Sequence, residues 1–395
     1  MEDIACNGCS LLCDDIVAEI DKSGVKSYGL CLLGFTHLDV TLKHKISGST
    51  DDKLDKAVKL LTSTKNPLVF GFSHASNEAI KEGLSLTKAI GGHFDSTASL
   101  GTMQSMMHDI HSLKLEADLE YVRNHGEFII YWGSDPAESV HRHPSRFAVL
   151  PRGERIPEGV ESRTIGVVDV RETETMKIAN HRMIIPQGTD IEFLEAVIGE
   201  LEGKASITGP ILGIPAAEVI GFVTGFKKSD CSVIFYGSGL VNSGKAEENL
   251  TAIERLIEAI RKTGKEAYAF PMYAETNLMG IVKETGGVPG DLQKIVENEF
   301  SVVLVVGDDP LANLPGPAAK ALAKTDIVYV GPPGGVTDKK AKVSIHTNDL
   351  IIQGSETMTR LDQVDIAFKP WKGMKQYSKT SDVLAKLNQL LKSKA

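Results

Sequence analysis

Six short and almost wholly apolar runs recur along the chain, and they constrain its fold more than any other feature. The runs are Pro67–Phe72, Phe128–Trp132, Thr164–Val168, Val233–Tyr236, Val302–Val306 and Ile327–Val330. Stretches with helical character separate them. Apolar strands that alternate with helices are buried on both faces of a sheet, which is typical of parallel βαβ units. The pattern therefore predicts an α/β protein with doubly wound, mostly parallel sheets.

The charge of the chain narrows the classes of partner that it can bind. Its 395 residues carry a formal net charge of -9. Proteins that bind nucleic acid or anionic membranes in a general way need a dense basic face, so we expect neither partner. The first ten residues lack the basic and apolar regions of a secretory signal, and no segment is apolar for long enough to span a membrane. We therefore expect a cytoplasmic protein.

Four of the five cysteines crowd into the first 31 residues. Their pattern is Cys6-x2-Cys9-x3-Cys13-x17-Cys31, three from one short loop and a fourth from a second loop. Disulfides explain this poorly in a reducing compartment. Structural zinc usually uses two short Cys pairs, whereas three close cysteines with a remote fourth are commoner for iron–sulfur clusters. The spacing favours one [4Fe–4S] cluster, and zinc and unliganded thiols are the alternatives.

Two of the apolar runs end in the same turn. Trp132 is followed by Gly-Ser-Asp-Pro and Val306 by Gly-Asp-Asp-Pro. Ligands of parallel sheets gather beyond the carboxyl ends of the strands, so these turns and two further strand ends are candidate cofactor sites. An ordinary βα turn is the alternative, because Gly, Asp and Pro are common turn residues. The strand-end candidates are Gly133, Ser134, Asp135, Pro136, Asp169, Arg171, Thr173, Gly237, Gly239, Gly307, Asp308, Asp309 and Pro310.

The cluster loop and these turns resemble those of the molybdopterin (bis-guanine dinucleotide) oxidoreductases, and in particular the B subunits of formylmethanofuran dehydrogenases. The resemblance spans nearly the whole chain. It is most specific in Cys6–Asp15 with Cys31, Asp95–Ser99, Tyr131–Pro136 with Arg142–Arg146, Arg163–Thr173 and Pro271–Met272. A late segment, Glu356–Arg360, is similar to one that these proteins place near the pterin.

The resemblance implies a tungsten or molybdenum site held by two molybdopterin guanine dinucleotides. There carbon dioxide is reversibly reduced to formate for formylmethanofuran synthesis in archaeal methanogenesis, with electrons arriving through the N-terminal cluster. It also implies partner subunits, one amidohydrolase-like and others ferredoxin-like electron carriers. The residues that would serve the dinucleotides are Gly133, Asp135, Pro136, Asp169, Arg171, Thr173, Gly307, Asp309 and Arg360. His143, beside the first Gly-x-Asp-Pro turn, is a further candidate, and a solvated basic loop is the alternative.

Three departures from the family pattern coincide. The metal-ligating Cys and the His after it should follow a Thr-Ala-Ser segment, but this chain continues Ser99-Leu100-Gly101. The expected active-site Arg is replaced by Tyr273. No catalytic residue is therefore assigned. The alternative function is a non-catalytic paralogue that keeps the cluster for a structural or electron-relay role in such a complex.

Chains of this length usually form several domains. We expect a cluster domain over residues 1–50 and an α/β domain around the cofactor over 51–120 plus 265–340. A dinucleotide-binding-like α/β domain would cover 121–264, and a cofactor-capping segment with a closing helix would cover 341–395. Helical spacing of apolar residues in Ser381–Lys394 predicts that closing helix.

Overall fold

The protein is described by a computed structural model that covers residues 2–21, 24–44, 46, 50–99, 117–287, 290, 292–372 and 374–394. Its contacts group the chain into two compact units. Unit 1 comprises residues 1–100, 275–360 and 364–395, and unit 2 comprises 101–274 and 361–363. The four-part division expected from the sequence remains a prediction.

Unit 1 begins with a small antiparallel sheet in the strand order β1-β2-β3. Its strands are Glu2–Ile4 (β1), Ile16–Asp21 (β2) and Gly24–Tyr28 (β3). β2 and β3 pair in antiparallel fashion as a hairpin. The helix Leu32–Lys43 (α1) follows directly, so the two cysteine segments flank the β2–β3 hairpin in the chain.

A five-stranded parallel sheet forms the centre of unit 1, in the order β13-β12-β11-β4-β5. The strands are Leu68–Gly71 (β4), His93–Asp95 (β5), Val302–Val306 (β11), Asp326–Gly331 (β12) and Val343–His346 (β13). β11 is buried along its whole length, as a central parallel strand requires. Apolar residues from β4, β11 and β12 pack with neighbouring helices into one core.

The helices of unit 1 begin at residues suited to helix starts. The Thr50 side chain accepts a hydrogen bond from the Lys53 amide, and Ser76 accepts one from Ala79. The larger helices are Asp51–Leu61 (α2), Asn77–Ala89 (α3), Leu278–Thr285, Leu292–Val296, Gly316–Leu322 and Thr380–Lys394. The helix Thr380–Lys394 confirms the closing helix that the sequence predicts. Shorter helices are Pro310–Asn313, Val336–Lys340 and Leu350–Gln353, and the hairpin Thr357–Thr359 (β14) with Asp365–Ala367 (β15) precedes the closing helix.

Unit 2 contains a second five-stranded parallel sheet, in the order β10-β9-β6-β7-β8. Its strands are Phe128–Trp132 (β6), Thr164–Asp169 (β7), His181–Ile184 (β8), Cys231–Tyr236 (β9) and Glu266–Pro271 (β10). Its helices are Leu119–His125, Pro136–Ser139, Asp190–Glu202, Ala216–Lys228, Ser238–Val241 and Ala246–Arg261. Cys231 is fully buried at the start of β9.

The two parallel sheets are built alike. In each, the middle strand, β6 or β11, carries the Gly-x-Asp-Pro turn. The next strand in sequence pairs with it on one side, β7 or β12, and is followed outward by β8 or β13. On the other side lies β9 in unit 2 and β4 in unit 1. The chain thus uses one five-strand arrangement twice, with the strands joined in a different sequence order.

These sheets confirm the mixed α/β architecture with parallel strands, and all six apolar runs contain strands. Within the parts of the chain that the structure describes, no helix is both long and apolar enough to cross a membrane.

Candidate metal centre and strand-end sites

Three cysteines lie in a tight loop after β1. The Cys6 amide donates to the Cys13 carbonyl oxygen at 2.7 Å, and the Leu12 amide donates to the Cys9 carbonyl oxygen at 3.2 Å. Leu12 adopts a left-handed φ of 40°. All three thiols are buried, each residue with at most 7% of its surface exposed. The loop therefore folds back on itself and buries its three cysteines.

The fourth cysteine approaches this loop from the start of α1. Cys31 is the residue that precedes the helix, and its carbonyl oxygen accepts the first helical hydrogen bond from Phe35. A Cβ atom on Gly34 would lie 2.9 Å from the Cys6 sulfur and 3.9 Å from the Cys31 sulfur. Gly8 approaches the Gly34 Cα closely too, with its notional Cβ at 3.2 Å. Glycine at both positions leaves the space that brings the two cysteine segments together.

The electrostatics show that the four sulfurs act on one another. Burial raises the pKa of Cys6 far above its usual range despite a hydrogen bond from the Gly8 amide, and the charges of Cys13, Cys9 and Cys31 raise it further. Burial, with Cys13 and Cys31, raises the pKa of Cys9 to about 12. Thiolates are the form that binds metal, so a cationic group would have to stabilise them here. Among the described residues, no three His, Cys, Asp or Glu side chains are grouped to hold a metal ion.

A hydrogen-bonded network that the sequence did not reveal adjoins the cysteine loop. Asn7 follows Cys6 directly and is fully buried. Its side-chain amide donates to Asp349 Oδ1 at 2.8 Å, and its Oδ1 lies 3.0 Å from His37 Nε2. His37 Nε2 is also 3.3 Å from Asp349 Oδ1. Asp349 follows β13, so its position just past a strand is the one local signal that could have indicated it.

Charge attraction and hydrogen bonds together outweigh the effect of burial in this network. Burial works against the charged form of His37, but attraction to Asp349 and the hydrogen bond between them raise its pKa above the ordinary value of 6.5. Burial likewise opposes ionisation of Asp349, yet the His37 charge and hydrogen bonds from His37, Ile351 and Asn7 lower its pKa to about 2. His37 and the ionised Asp349 are therefore paired beside the cysteine loop.

A second cluster lies at the ends of β4 and β11. The Ser73 hydroxyl donates to Asp308 Oδ2 at 2.9 Å, and its oxygen is 3.1 Å from His74 Nδ1. Burial lowers the pKa of His74 and raises that of Asp308. The ring of His74 stacks on that of His37, with centroids 6.5 Å apart. Asp308, a predicted cofactor residue, is therefore bonded within the chain.

The two Gly-x-Asp-Pro turns have the same geometry. Gly133 and Gly307 both adopt left-handed φ values, 55° and 56°. Each donates its amide to the neighbouring strand, Gly133 to Val168 at 2.8 Å and Gly307 to Val330 at 2.9 Å. These glycines therefore continue the sheet while turning the chain, which a residue with a Cβ would do only under strain.

The aspartates of the two turns bind backbone in the loop beyond the neighbouring strand. Asp135 accepts from the amides of Glu174 and Thr175 at 3.1 and 3.3 Å, and from the Thr175 hydroxyl at 2.5 Å. Asp309 accepts from the amides of Val336 and Thr337 at 2.8 and 2.7 Å, and from the Thr337 hydroxyl at 2.6 Å. Both carboxylates thus join two loops of their own unit.

The prolines of these turns begin short helices. Pro136 and Pro310 each occupy the first helical position, where a missing amide costs nothing. Ser134, between Gly133 and Asp135, is buried. In unit 2 the close approach of Gly133 to Gly237 and Gly239 explains both of the latter: a Cβ on Gly237 would lie 2.5 Å from the Gly133 oxygen. At this place the glycines make room for the end of a neighbouring strand of the same chain.

The polar side chains at the end of β7 differ in how far the chain itself binds them. Asp169 accepts from the Val170 amide at 2.8 Å, and burial raises its pKa. Arg171 pairs with Glu138 at 3.2 Å, and both side chains are more than half exposed. Thr173 is buried, and its hydroxyl accepts from the Met176 amide. Of the predicted cofactor residues, Arg171 has one of the most accessible polar side chains.

His143 is fully buried in unit 2. Its Nδ1 lies 3.1 Å from the Tyr131 hydroxyl, and its ring meets Phe235 edge-on at 4.3 Å. Its Nε2 has no hydrogen-bond partner among the described residues. Burial lowers the pKa of His143 to about 3, so it is neutral at physiological pH. This neutral nitrogen is the unsatisfied polar atom nearest in sequence to the first turn.

The remaining predicted residues are buried or lie outside the described part of the chain. Arg360 and Tyr273 are both buried, with 3% and 4% of their surfaces exposed. Gly101 lies outside the described residues.

Arg163 has a structural role that the sequence did not indicate. It belongs to one of the motifs, but its guanidinium donates to four backbone carbonyl oxygens, of Gly126, Val149, Pro151 and Arg123. No local sequence pattern indicates that an arginine will be buried and will bind backbone carbonyl oxygens in this way.

No model of a known protein family matches the sequence. Among curated proteins, the B subunit of the tungsten-containing formylmethanofuran dehydrogenase 2 of Methanocaldococcus jannaschii is 26% identical, over 93% of each chain. The protein of the same name from Methanococcus maripaludis is 23% identical, again over 93% of each chain. Both alignments therefore run along nearly the entire sequence.

Two solved structures share the fold. A chain of the formyltransferase/hydrolase complex (FhcABCD) of Methylorubrum extorquens has a TM-score of 0.67 at 13% identity, covering 88% of this chain and 98% of that one. Acetylene hydratase of Pelobacter acetylenicus has a TM-score of 0.64 at 10% identity, covering 99% of this chain and 70% of that one. The resemblance to the B subunits of formylmethanofuran dehydrogenases that the motifs predicted is thus confirmed along nearly the whole chain.

Proposed function

We propose that this chain is the cluster-carrying subunit of a formylmethanofuran dehydrogenase-type complex, with one [4Fe–4S] cluster on Cys6, Cys9, Cys13 and Cys31. The observation that carries the proposal is the approach of the two cysteine segments across Gly8 and Gly34. The relatives along the whole chain support the complex, because they are named as subunits of such a dehydrogenase. The FhcABCD neighbour is likewise a multisubunit assembly.

Four cysteine thiols are the ligand type of such a cluster. Three buried thiols and the partly exposed Cys31, whose charges repel one another, would need a cationic partner, and a cubane has one iron for each of four thiolates. When bound, the cluster supplies one-electron transfer. The chain excludes water from three of the cysteines, and Leu11 and Leu12 within their loop are fully buried. Cys31 is partly exposed at the start of α1.

Anaerobic purification tests the cluster. We expect about four irons and as many sulfides per chain, with a paramagnetic signal after reduction by dithionite. Cys13→Ser should lose iron, whereas Cys231→Ser, which removes a buried thiol of unit 2, should retain it. Zinc in place of iron, or full iron retention in the Cys13 variant, would refute the proposal. Circular dichroism of both variants shows whether the chain has folded.

We extend the proposal to the reaction that the resemblance implies, reduction of carbon dioxide to formate at tungsten or molybdenum held by two molybdopterin guanine dinucleotides. Support comes from the tungsten-containing relatives and from two strand-end sites of identical construction. Arg171 and the neutral His143 are the residues whose exposure or free nitrogen best suits such a ligand. Amidohydrolase-like and ferredoxin-like subunits would complete the assembly.

The second candidate is a non-catalytic electron-relay paralogue. Three observations favour it. Asp135 and Asp309 already accept hydrogen bonds from backbone amides of another loop of the chain. Tyr273 replaces the expected arginine, and Thr97–Ser99 is followed directly by neither Cys nor His. Elemental analysis with acid extraction of guanine nucleotide separates the two functions. Tungsten or molybdenum with guanine nucleotide supports the dehydrogenase, whereas iron alone supports the relay.

A further inference from the structure

We propose that the open edge of β3 binds an extended strand of another subunit, which lies between β3 and the start of α1 and carries an acidic residue opposite Lys26. β3 is the outer strand of its antiparallel sheet, and among the strands that the structure describes it pairs with β2 alone. An edge strand presents backbone groups to which a further strand can hydrogen-bond. Only the partner's membership of the same complex rests on the proposed function.

A groove runs along this edge. Its volume is about 580 Å³, and its lining includes four consecutive residues of β3, Val25, Lys26, Ser27 and Tyr28. Successive side chains of a strand point to opposite faces of the sheet, so a hollow on one face would be lined by alternate residues only. Because all four residues line it, the groove lies beside the strand, along its open edge.

The other wall of the groove is apolar and exposed. Leu32 and Phe35 line it from α1, where residues three positions apart lie on the same side of the helix. Leu32 is 70% exposed, Phe35 55% and Tyr28 53%, and Leu32 is the most exposed large apolar side chain among the described residues. Single exposed apolar residues are ordinary, but several that line one groove are typical of a surface that binds another protein.

The charges of the sheet favour an acidic partner strand. Lys26 is exposed, and it is the one charged side chain among the described residues that line the groove. In the register of the hairpin it stands opposite Glu19 of β2. Opposite charges on adjacent strands attract, so an Asp or Glu on a strand added outside β3 would continue this alternation of charge. The expected segment therefore combines an acidic residue at this position with apolar side chains that contact Leu32 and Phe35.

A second copy of this chain fits the edge less well. If two β3 strands paired in antiparallel fashion about their middle residue, Lys26 of one would stand opposite Lys26 of the other. Like charges directly opposite one another destabilise a strand pair. A lysine on an edge strand also hinders the edge-to-edge association of identical sheets. The charge of this edge therefore favours a different chain.

Two measurements on the wild-type protein test the proposal. The chain is expressed together with the other subunits, and the purified complex is treated with a carbodiimide, which joins amines to carboxylates in direct contact. Lys26 should be linked to an Asp or Glu of another subunit. Hydrogen exchange of residues 24–28 should be at least about tenfold slower in the complex than in the isolated full-length chain. The amides of β11, in the middle of its sheet, should exchange equally in both samples.

Two variants test the apolar wall and the charge separately, through the dissociation constant between the full-length chain and the cross-linked subunit. Leu32→Glu should weaken binding at least about tenfold, because an apolar contact is replaced by a charge. Lys26→Gln should weaken it about two- to fivefold, the range expected for one cross-strand charge pair. Leu150→Glu is the matched control, since Leu150 is 56% exposed in unit 2 and does not line the groove, and it should bind as the wild type does.

The outcomes separate this inference from the proposed function. A chain that purifies alone after expression with the other subunits refutes both. A complex in which residues 24–28 exchange as fast as in the isolated chain refutes the strand-binding edge and leaves membership of the complex intact. Lys26 linked only to Glu19, or a dimer of the isolated chain that Leu32→Glu abolishes, also refutes the acidic partner strand. The exchange and cross-linking measurements use wild-type protein, so the test does not depend on the variants folding.

Discussion

Replacing Asp309 by alanine should destabilise unit 1 even in protein that carries no cofactor. The carboxylate accepts three hydrogen bonds, from the Val336 amide, the Thr337 amide and the Thr337 hydroxyl, at 2.6–2.8 Å. If Asp309 served a nucleotide alone, its loss would change only cofactor content. The stability of the cofactor-free chain therefore decides whether the turn is structural.

The magnitude follows from which donors can reach water. Val336 is 52% exposed, so its amide can be hydrated, whereas Thr337 is fully buried and its hydroxyl and amide would lose their acceptor. A buried donor left unsatisfied costs about 1–3 kcal/mol, and loss of a carboxylate that caps backbone amides costs about 0.5–2 kcal/mol. We expect Asp309→Ala to cost about 2–4 kcal/mol. Asp135→Ala should cost less, because its bonds to backbone amides are longer, 3.1 and 3.3 Å.

The two tryptophans allow the units to be followed separately by fluorescence. Trp371 lies in unit 1 and Trp132 in unit 2, and each is 1% exposed. In a Trp132→Phe background, urea unfolding would report unit 1, and Asp309→Ala should lower its midpoint. In a Trp371→Phe background, Asp135→Ala should lower the midpoint of unit 2. Each background serves as its own reference for stability.

Asp52→Ala is the matched control for removing a carboxylate. The Asp52 side chain is 70% exposed and pairs with Lys56 along one helix at 2.7 Å, an interaction worth at most about 0.5 kcal/mol. If Asp309→Ala shifts the midpoint no more than Asp52→Ala does, the carboxylate does not join the two loops. The strand-end glycine–aspartate turns would then be cofactor sites only.

Three further perturbations have defined outcomes. Arg163→Lys should destabilise unit 2 by about 2–4 kcal/mol in urea unfolding, because an ammonium cannot donate to all four carbonyl oxygens that the guanidinium reaches. An unchanged midpoint would show that these bonds contribute nothing to stability. Gly34→Ala should reduce the bound iron, since its Cβ meets the Cys6 sulfur at 2.9 Å, whereas Gly316→Ala, with open space around it, should not. His143 has its pKa lowered to about 3, so only the unfolded state binds its proton as the pH falls below 6.5. Relative to His143→Gln, the free energy of unfolding should therefore fall by about 1.4 kcal/mol for each pH unit below that value. Urea unfolding at pH 7 and pH 5 measures this, and an equal change with pH in both proteins would refute it.

The strands were predictable because burial in a parallel sheet imposes an apolar run that is visible locally. β6, β11 and β12 are examples, and each is buried at every position or nearly so. The closing helix was equally visible in its spacing of apolar residues. Cys231, at the start of β9, is buried for the same reason. Each of these predictions depends on neighbours within a few positions of the chain.

The sequence by itself also determined which residue types stand at the strand ends and how the cysteines are spaced. What each side chain binds was decided only by the tertiary structure. Asp135 and Asp309 were expected to face a cofactor, yet they bond to loops 27–40 positions away. The Asn7–Asp349 bond joins the first loop to one near the end of the chain. Such pairings arise when the sheet aligns its carboxyl ends, and local patterns of hydrophobicity carry no information about which loops then meet.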